Sequence, residues 1–220
     1  MDSTELELII SNHSLWLSSD GHEGSKAELS NLKLTNADLC ECNLNSANIS
    51  NSNLDEADLS EGYFIKTIFK GSSFIWTDLS QADLTGANLS EADLTDADIV
   101  GTNFTEANLS QSILRNVKAT GACFRNANLS NAILCDLDFS GLELISAKLV
   151  SADLSNTNLK DAIVNGANLK DSNLENSNLI NTNLYEANLI NTNLKNSIYS
   201  EKSIFPDSFD PQERGMKKKS

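Results

Sequence analysis

Apolar residues recur along this chain at every fifth position, plainly in LSQADLTGANLSEADLTDADIVGTNF (79–104) and far beyond it on both sides. Every fifth residue from Leu29 to Tyr199 gives 35 positions: leucine fills 24, phenylalanine six and isoleucine two, and the others are Ala119, Val164 and Tyr199. Two residues before each, 31 of the 35 positions hold Ala, Ser, Thr, Cys or Gly, and the residue between is Asn or Asp in 22. The phase never slips. An amphipathic helix needs apolar residues at i, i+3, i+4 and i+7, and a half-buried strand needs alternation over a short run. Neither has a period of five, whereas self-similarity at fixed spacing over such a length predicts a solenoid.

The geometry of one unit follows from the two-residue period of extended backbone. The small residue and the leucine lie two apart, so they share a face and both point inward. The intervening Asn or Asp points outward, and the next two residues turn a corner. Small inward residues let the walls of a narrow shaft approach each other. Coils stacked at the β spacing of ~4.8 Å make about nine coils a rod of roughly 40 Å. Backbone groups then pair with the coils above and below. In NVKAT (116–120) the small and large positions are exchanged, Val117 preceding Ala119, while one coil on stand Leu137 and Phe139. A large residue at 139 beside an alanine at 119 is what volume conservation in a packed core predicts.

Units such as ADLTG, ANLSE, ADLTD and TNLYE resemble the pentapeptide-repeat family, whose consensus is A(D/N)LXX. The resemblance covers roughly residues 27–199. It implies an all-β fold, a right-handed parallel quadrilateral β-helix with four pentapeptides per coil. Residues 13–30 resemble a lead-in found in cyanobacterial members, and residues 203–220 a tail common in the same group.

The ends do not repeat. Residues 4–18 read as a helix in which Thr4 and Glu7 form a capping box and Leu6, Ile9, Ile10, His13 and Leu17 line one side. Asp20 and Gly21 stop it. An open solenoid end is an unpaired edge, so the helix is expected to be a cap. The organisation is therefore a capping helix and lead-in at 1–25, a repeat region at 26–200 and a tail at 201–220. In the tail, Ile204, Phe205 and Phe209 are expected to cover the last coil and KKKS to be a solvated terminus.

Charge changes the picture only on the outer surface. The formal net charge is −15, which disfavours nucleic acid and anionic membrane as partners. One outward column reads Asp38, Asp58, Asp78, Asp98, Lys118, Asp138, Asn158, Asn178, with Glu41, Glu56, Glu61, Asp96 and Asp136 on neighbouring corners. Residues 34–115 hold 13 acids against three bases, and residues 116–199 hold eight against six. A second column, Asn48, Asn88, Asn108, Asn128, Asn168 and Asn188, is an expected amide ladder. The acidic side is either a solvated surface that keeps a rod soluble or a recognition surface for a protein partner. The candidate surface is Asp38, Glu41, Glu56, Asp58, Glu61, Asp78, Asp96 and Asp98.

Enzyme chemistry finds no support. Both histidines, His13 and His22, precede the repeats. The carboxylates sit on a convex surface with no pocket to shift their pKa values. Cys40, Cys42, Cys123 and Cys135 lack zinc or redox spacing, and free thiols suit a cytoplasmic protein. No signal peptide and no apolar run long enough to span a membrane is read. The expectation is a non-enzymatic scaffold without cofactor or metal, a monomer or weak dimer, binding a protein partner. The resemblance also implies an alternative, a DNA mimic binding DNA gyrase of the quinolone-resistance type. Family members of that kind are typically joined at a C-terminal coil, and several carry loops that interrupt the coils. Here the coils are uninterrupted and the tail is polar.

Overall fold

Each five-residue unit supplies three residues of wall and two of corner. The computed structural model describes residues 2–219. In the unit around Leu34, the Ala37 N–H donates to the Leu34 carbonyl at 3.0 Å across Thr35 and Asn36. Asn36 has φ 58°. A left-handed third residue in a hydrogen-bonded turn is the demand of a type II turn, which Asn and Gly meet at least cost. That is why Asn and Gly recur at the second corner position.

Twenty residues complete one coil, and successive coils pair in parallel register along four sides. Glu28↔Asn48, Lys33↔Asn53, Asp38↔Asp58 and Asn43↔Tyr63 begin the four columns. At each rung the chain bonds both ways: the Leu39 N–H donates to the Asp58 carbonyl at 2.7 Å, and the Asp58 N–H to the Ala37 carbonyl at 3.0 Å. The large inward residues are fully buried from Leu29 to Leu179, and Phe104, Phe124 and Phe139 stack with centroids 5.1 and 5.5 Å apart. Inward Ser and Thr hydroxyls mostly find a carbonyl, Ser177 being, among the described residues, the buried one without a partner. Thr67 donates to the Leu44 carbonyl and Thr102 to the Leu79 carbonyl, each at 2.7 Å, one coil below.

The exchanged segment is inward as expected, with Val117, Ala119, Leu137 and Phe139 all at or below 9 % exposure. Volume conservation there is incomplete, however. Asp98 pairs with Lys118 and Asp138 with Asn158, but the parallel rung between 118 and 138 is missing. In this column of small positions Val117 and Leu137 follow Ala97 and precede Thr157. Two adjacent bulky residues where the shaft expects alanine-sized ones hold the two coils apart on that side.

Helix α1 spans Ser3–Ser18. Its cap is Asp2, whose carboxylate accepts the Glu5 N–H at 2.8 Å, so the helix starts before the expected Thr4/Glu7 box and Asp2 caps it instead. Asp gains from the helix dipole as well as the hydrogen bond. Leu6 and His13 are buried, and Ile9 and Ile10 pack on the first coil's core. The chain returns from the helix through Gly24 at φ 70°, where an added Cβ would stand 2.1 Å from the Asn12 carbonyl oxygen.

His13 ties the cap to the coils. Its Nδ1 accepts the Ala27 N–H at 3.0 Å, so Nε2 carries the proton and donates to the Asn45 carbonyl at 3.1 Å. Trp16 stacks on the ring at 5.5 Å. Burial lowers the His13 pKa below 6.5, against a smaller opposing effect of the Asn45 hydrogen bond, and nearby Lys26 lowers it further. A folded-state pKa below the unfolded one means the unfolded chain takes the proton first as pH falls through 6.5. Stability is therefore complete above that pH and declines below it until the folded pKa is reached. Melting temperatures of wild type and His13→Gln between pH 7.5 and 5.0 should diverge in slope, wild type falling more steeply. Parallel profiles would contradict the neutral buried ring.

The far end carries three short strands, β1 (Asn178–Leu179), β2 (Ile198–Tyr199) and β3 (Lys217–Lys218), paired in parallel in that order. Phe205 stacks edge-on to Tyr199 at 5.7 Å and flat on Phe209 at 5.1 Å, as the expected cover. Ile204 instead remains 48 % exposed and continues a column by pairing with Asn183. Met216 is the buried plug. Lys217 and Lys218 expose their side chains, as a solvated terminus would, but their backbone adds a rung, with Lys217 N–H on the Ser197 carbonyl at 2.8 Å. Ser220 lies outside the described residues.

Candidate interaction surface

The column read from sequence is real in space. Asp38, Asp58, Asp78 and Asp98 pair in succession on one side of the rod. Glu56 and Asp96 occupy the corner that enters this side, and Glu41 and Glu61 the corner that leaves it. Asp38, Glu41, Glu56, Asp58 and Glu61 are exposed, while Asp78, Asp96 and Asp98 are half-buried. All eight thus lie on one side and its edges.

The aspartates do more than point outward. Each accepts the backbone N–H two residues on: Cys40 to Asp38 at 3.2 Å, Ser60 to Asp58 at 2.9 Å, Ser80 to Asp78 at 2.8 Å and Val100 to Asp98 at 3.1 Å. The Ser60 hydroxyl adds a second donor to Asp58 at 2.6 Å. Asn128 performs the same task elsewhere, accepting the Ser130 N–H at 3.2 Å and hydroxyl at 2.7 Å. Asn or Asp at the outward position is therefore a corner-fixing residue, since both offer an oxygen at the same place. The choice between them decides charge.

Further up the same column the choice is amide. The Asn158 amide donates to Asp138 at 2.9 Å and that of Asn178 to Asn158 at 2.9 Å. The Ser140 hydroxyl and N–H, with a smaller contribution from Asn158, hold the Asp138 carboxyl below its usual range. The expected ladder on another side also forms in part, Asn108 to Asn88 at 3.3 Å and Asn128 to Asn108 at 3.1 Å. Ile68 and Lys148 interrupt it. Between Asp38 and Asp98 no such donor intervenes. The carboxylates face one another, relieved only where Lys118 meets Asp98 at 3.0 Å.

One concavity was not legible in the sequence. A groove of about 650 Å³ lies between α1 and the first coils, lined by Leu6, Ile10, Leu34, Ala37, Cys40 and Cys42, with Asp38 and Glu7 at its rim. Burial, and secondarily Asp38, push the Cys42 thiol up. Burial and Asp153 do the same for Cys135. Neither is poised as a thiolate nucleophile. Among the described residues no group of histidine, cysteine and carboxylate side chains is arranged to hold a metal ion. Nor, among the described residues, is any helix long and apolar enough to cross a membrane.

Sequence reasoning passed over Trp76, on the corner between Glu56 and Asp96. Its side chain is 64 % exposed and its φ is 61°. The available signal was an aromatic residue at a corner position filled otherwise by polar residues or glycine.

The geometry agrees with known proteins. Solved structures share the fold, among them the following two. HetL, a pentapeptide repeat protein involved in heterocyst differentiation regulation from the cyanobacterium Nostoc sp. strain PCC 7120, is 26 % identical, covers 87 % of this chain and 97 % of its own, with a TM-score of 0.53. A trypsin-treated form of QnrB1, a plasmid-mediated fluoroquinolone resistance protein, is 17 % identical and covers 89 % of this chain and 92 % of its own, with a TM-score of 0.72. No curated protein matches this sequence. The family model for pentapeptide repeats matches in eight copies, over residues 25–60, 50–86, 72–111, 87–126, 122–161 and 162–198. With twenty-residue coils paired on four sides and a match reaching from 25 to 198, the chain belongs to the pentapeptide-repeat family.

Proposed function

We propose that this chain is a cytoplasmic, non-enzymatic scaffold, a right-handed rod of about nine coils that binds a basic protein partner through Asp38, Glu41, Glu56, Asp58, Glu61, Asp78, Asp96 and Asp98. One observation carries the reading. On a single side, the upper coils use amides that bond along the stack, while the lower coils use carboxylates that repel, although amides would hold the same corner hydrogen bonds. Carboxylates ~4.8 Å apart lower stability unless something is gained from their charge. Complementary charge speeds encounter and selects a partner of opposite sign.

The test is Asp58→Asn, Asp78→Asn and Asp98→Asn combined. The melting temperature should rise by a few degrees, because repulsion is removed and amide-to-acid contacts form along the column. Capture of basic proteins at low salt should fall, and its salt dependence should flatten. A variant that melts lower than wild type, or that captures the same proteins in the same amounts, overturns the reading.

A further inference from the structure

The second corner position is the most constrained on the outer surface, because its backbone is left-handed. From Asn31 to Asn196 these positions hold Asn, Asp, Glu, Ser, Lys, Gln or Gly, with one exception, Trp76. At φ 61° a bulky aromatic side chain is strained where Asn or Gly would not be. The indole is also the most exposed large apolar side chain among the described residues, at 64 %. Nothing in the fold uses it. It joins none of the aromatic pairs, and the cation–π contact in the described residues is Arg214 over Phe209, at the far end. A residue that disfavours its own backbone and leaves most of its surface open points to a use outside the chain.

Its surroundings specify what that is. Glu56 and Asp96 stand one coil below and above on the same corner, and Asp58, Asp78 and Asp98 follow two residues along their coils. Coil spacing of ~4.8 Å and a rise of ~3.3 Å per residue put these carboxylates within about 5–9 Å of the Trp76 backbone. Between residues 34 and 115 the bases are Lys66 and Lys70, on two other corners of their coil, and Arg115, one coil above Asp96 on the same corner. Asp98 is met by Lys118, but the indole is exposed beside Glu56, Asp58, Asp78 and Asp96, carboxylates that make no ion pair among the described residues. A guanidinium satisfies both at once: it is weakly hydrated, stacks flat on indole and carries N–H groups in its own plane that reach flanking carboxylates. An ammonium is a compact, strongly hydrated point charge that does so less well.

We infer that Trp76 is the anchor of a docking surface for an arginine-bearing segment of a basic protein, the guanidinium stacking on the indole while Glu56, Asp78 and Asp96 take its N–H groups. The inference rests on the proposed reading of the acidic side and adds the residue that makes it selective. Tryptophan is enriched among the few residues that dominate protein interfaces, and a ring of polar groups around it suits that role.

The test uses the full chain with two fluorescently labelled peptides of equal length and charge, one with arginine and one with lysine as its only base. Wild type should bind the arginine peptide about 3- to 10-fold tighter than the lysine peptide. Trp76→Asn, which suits the left-handed corner and should melt no lower than wild type, should weaken the arginine peptide about 5- to 30-fold and erase the preference. Trp76→Phe should retain part of it. The triple aspartate variant should weaken both peptides while keeping the preference. Equal binding of the two peptides by wild type, or an undiminished arginine preference in Trp76→Asn, overturns the inference. Unchanged binding of both peptides by the triple variant instead overturns the acidic reading beneath it.

Discussion

Leu89→Asp should abolish the cooperative fold of the rod, while Asp83→Asn, six residues away, should leave the melting temperature within about 2 °C of wild type. Leu89 is fully buried near mid-rod, and its N–H donates to the Asn108 carbonyl at 2.7 Å. The shaft around it is lined by buried apolar side chains, so a carboxylate there must stay charged and unpaired or take up a proton against its ordinary pKa. Either course costs several kcal/mol. The position also matters because each coil touches only its neighbours, so a failure at mid-rod leaves two short stacks, each with a new open end. Asp83 is different. Its Oδ1 accepts the Thr85 N–H at 3.0 Å and the Thr85 hydroxyl at 2.6 Å, and an amide oxygen can take both. Leu89→Ala grades the effect, with a cost of about 2–5 kcal/mol for a cavity without charge. Circular dichroism melts of the three variants decide the matter. Similar melting temperatures for Leu89→Asp and Asp83→Asn would refute the inward assignment of the whole leucine series.

Removing residues 1–25 should turn the chain into an aggregating species at concentrations where the intact protein scatters no light. The first coil has no coil beneath it, and α1 takes that place with Leu6, Ile9 and Ile10 against its core. The deletion bares Leu34, Ala37 and the partly covered Leu32. It also withdraws His13 from the Ala27 N–H and the Asn45 carbonyl, opening the hydrogen-bonding edge of the lowest coil. An apolar face beside an unpaired edge is a template for stacking with another copy. Flat light scattering and an unchanged melting curve after deletion would show that the helix caps nothing. Gly24→Val offers a milder version, since a side chain there meets the Asn12 carbonyl and the helix must lift. It should scatter at temperatures well below the wild-type melt.

These expectations differ in where they came from. The five-residue period, the inward small and large positions and the four columns are legible in the sequence alone, because each follows from local rules. A period-two wall and a two-residue corner repeat without long-range information, and volume limits in a narrow shaft restrict what may stand inside. The column from Asp38 to Asp98 was legible for the same reason: a fixed coil length converts sequence spacing into spatial adjacency.

What the tertiary structure decided lies wherever that translation fails. The outward Asn and Asp looked like surface residues, yet they hold the corners by accepting the N–H two residues on, a bond visible only once the turn is formed. Ala119 and Phe139 looked compensated by volume, but beside them Val117 and Leu137 stack and the rung between 118 and 138 is missing, because packing depends on which atoms meet as well as on how much space they fill. At the ends there is no repeat to extrapolate from, so helix propensity could name a cap but not that His13 locks it. Nor could it show that Met216 plugs the far end, or that Lys217 and Lys218 extend it by a rung. Trp76 shows both sources together. Its departure from the pattern is written in the sequence, but its exposure, its left-handed backbone and the carboxylates about it exist only once the chain is wound. Periodicity fixes the frame by local geometry, whereas the exceptions to it acquire meaning only from the neighbours that winding brings to them.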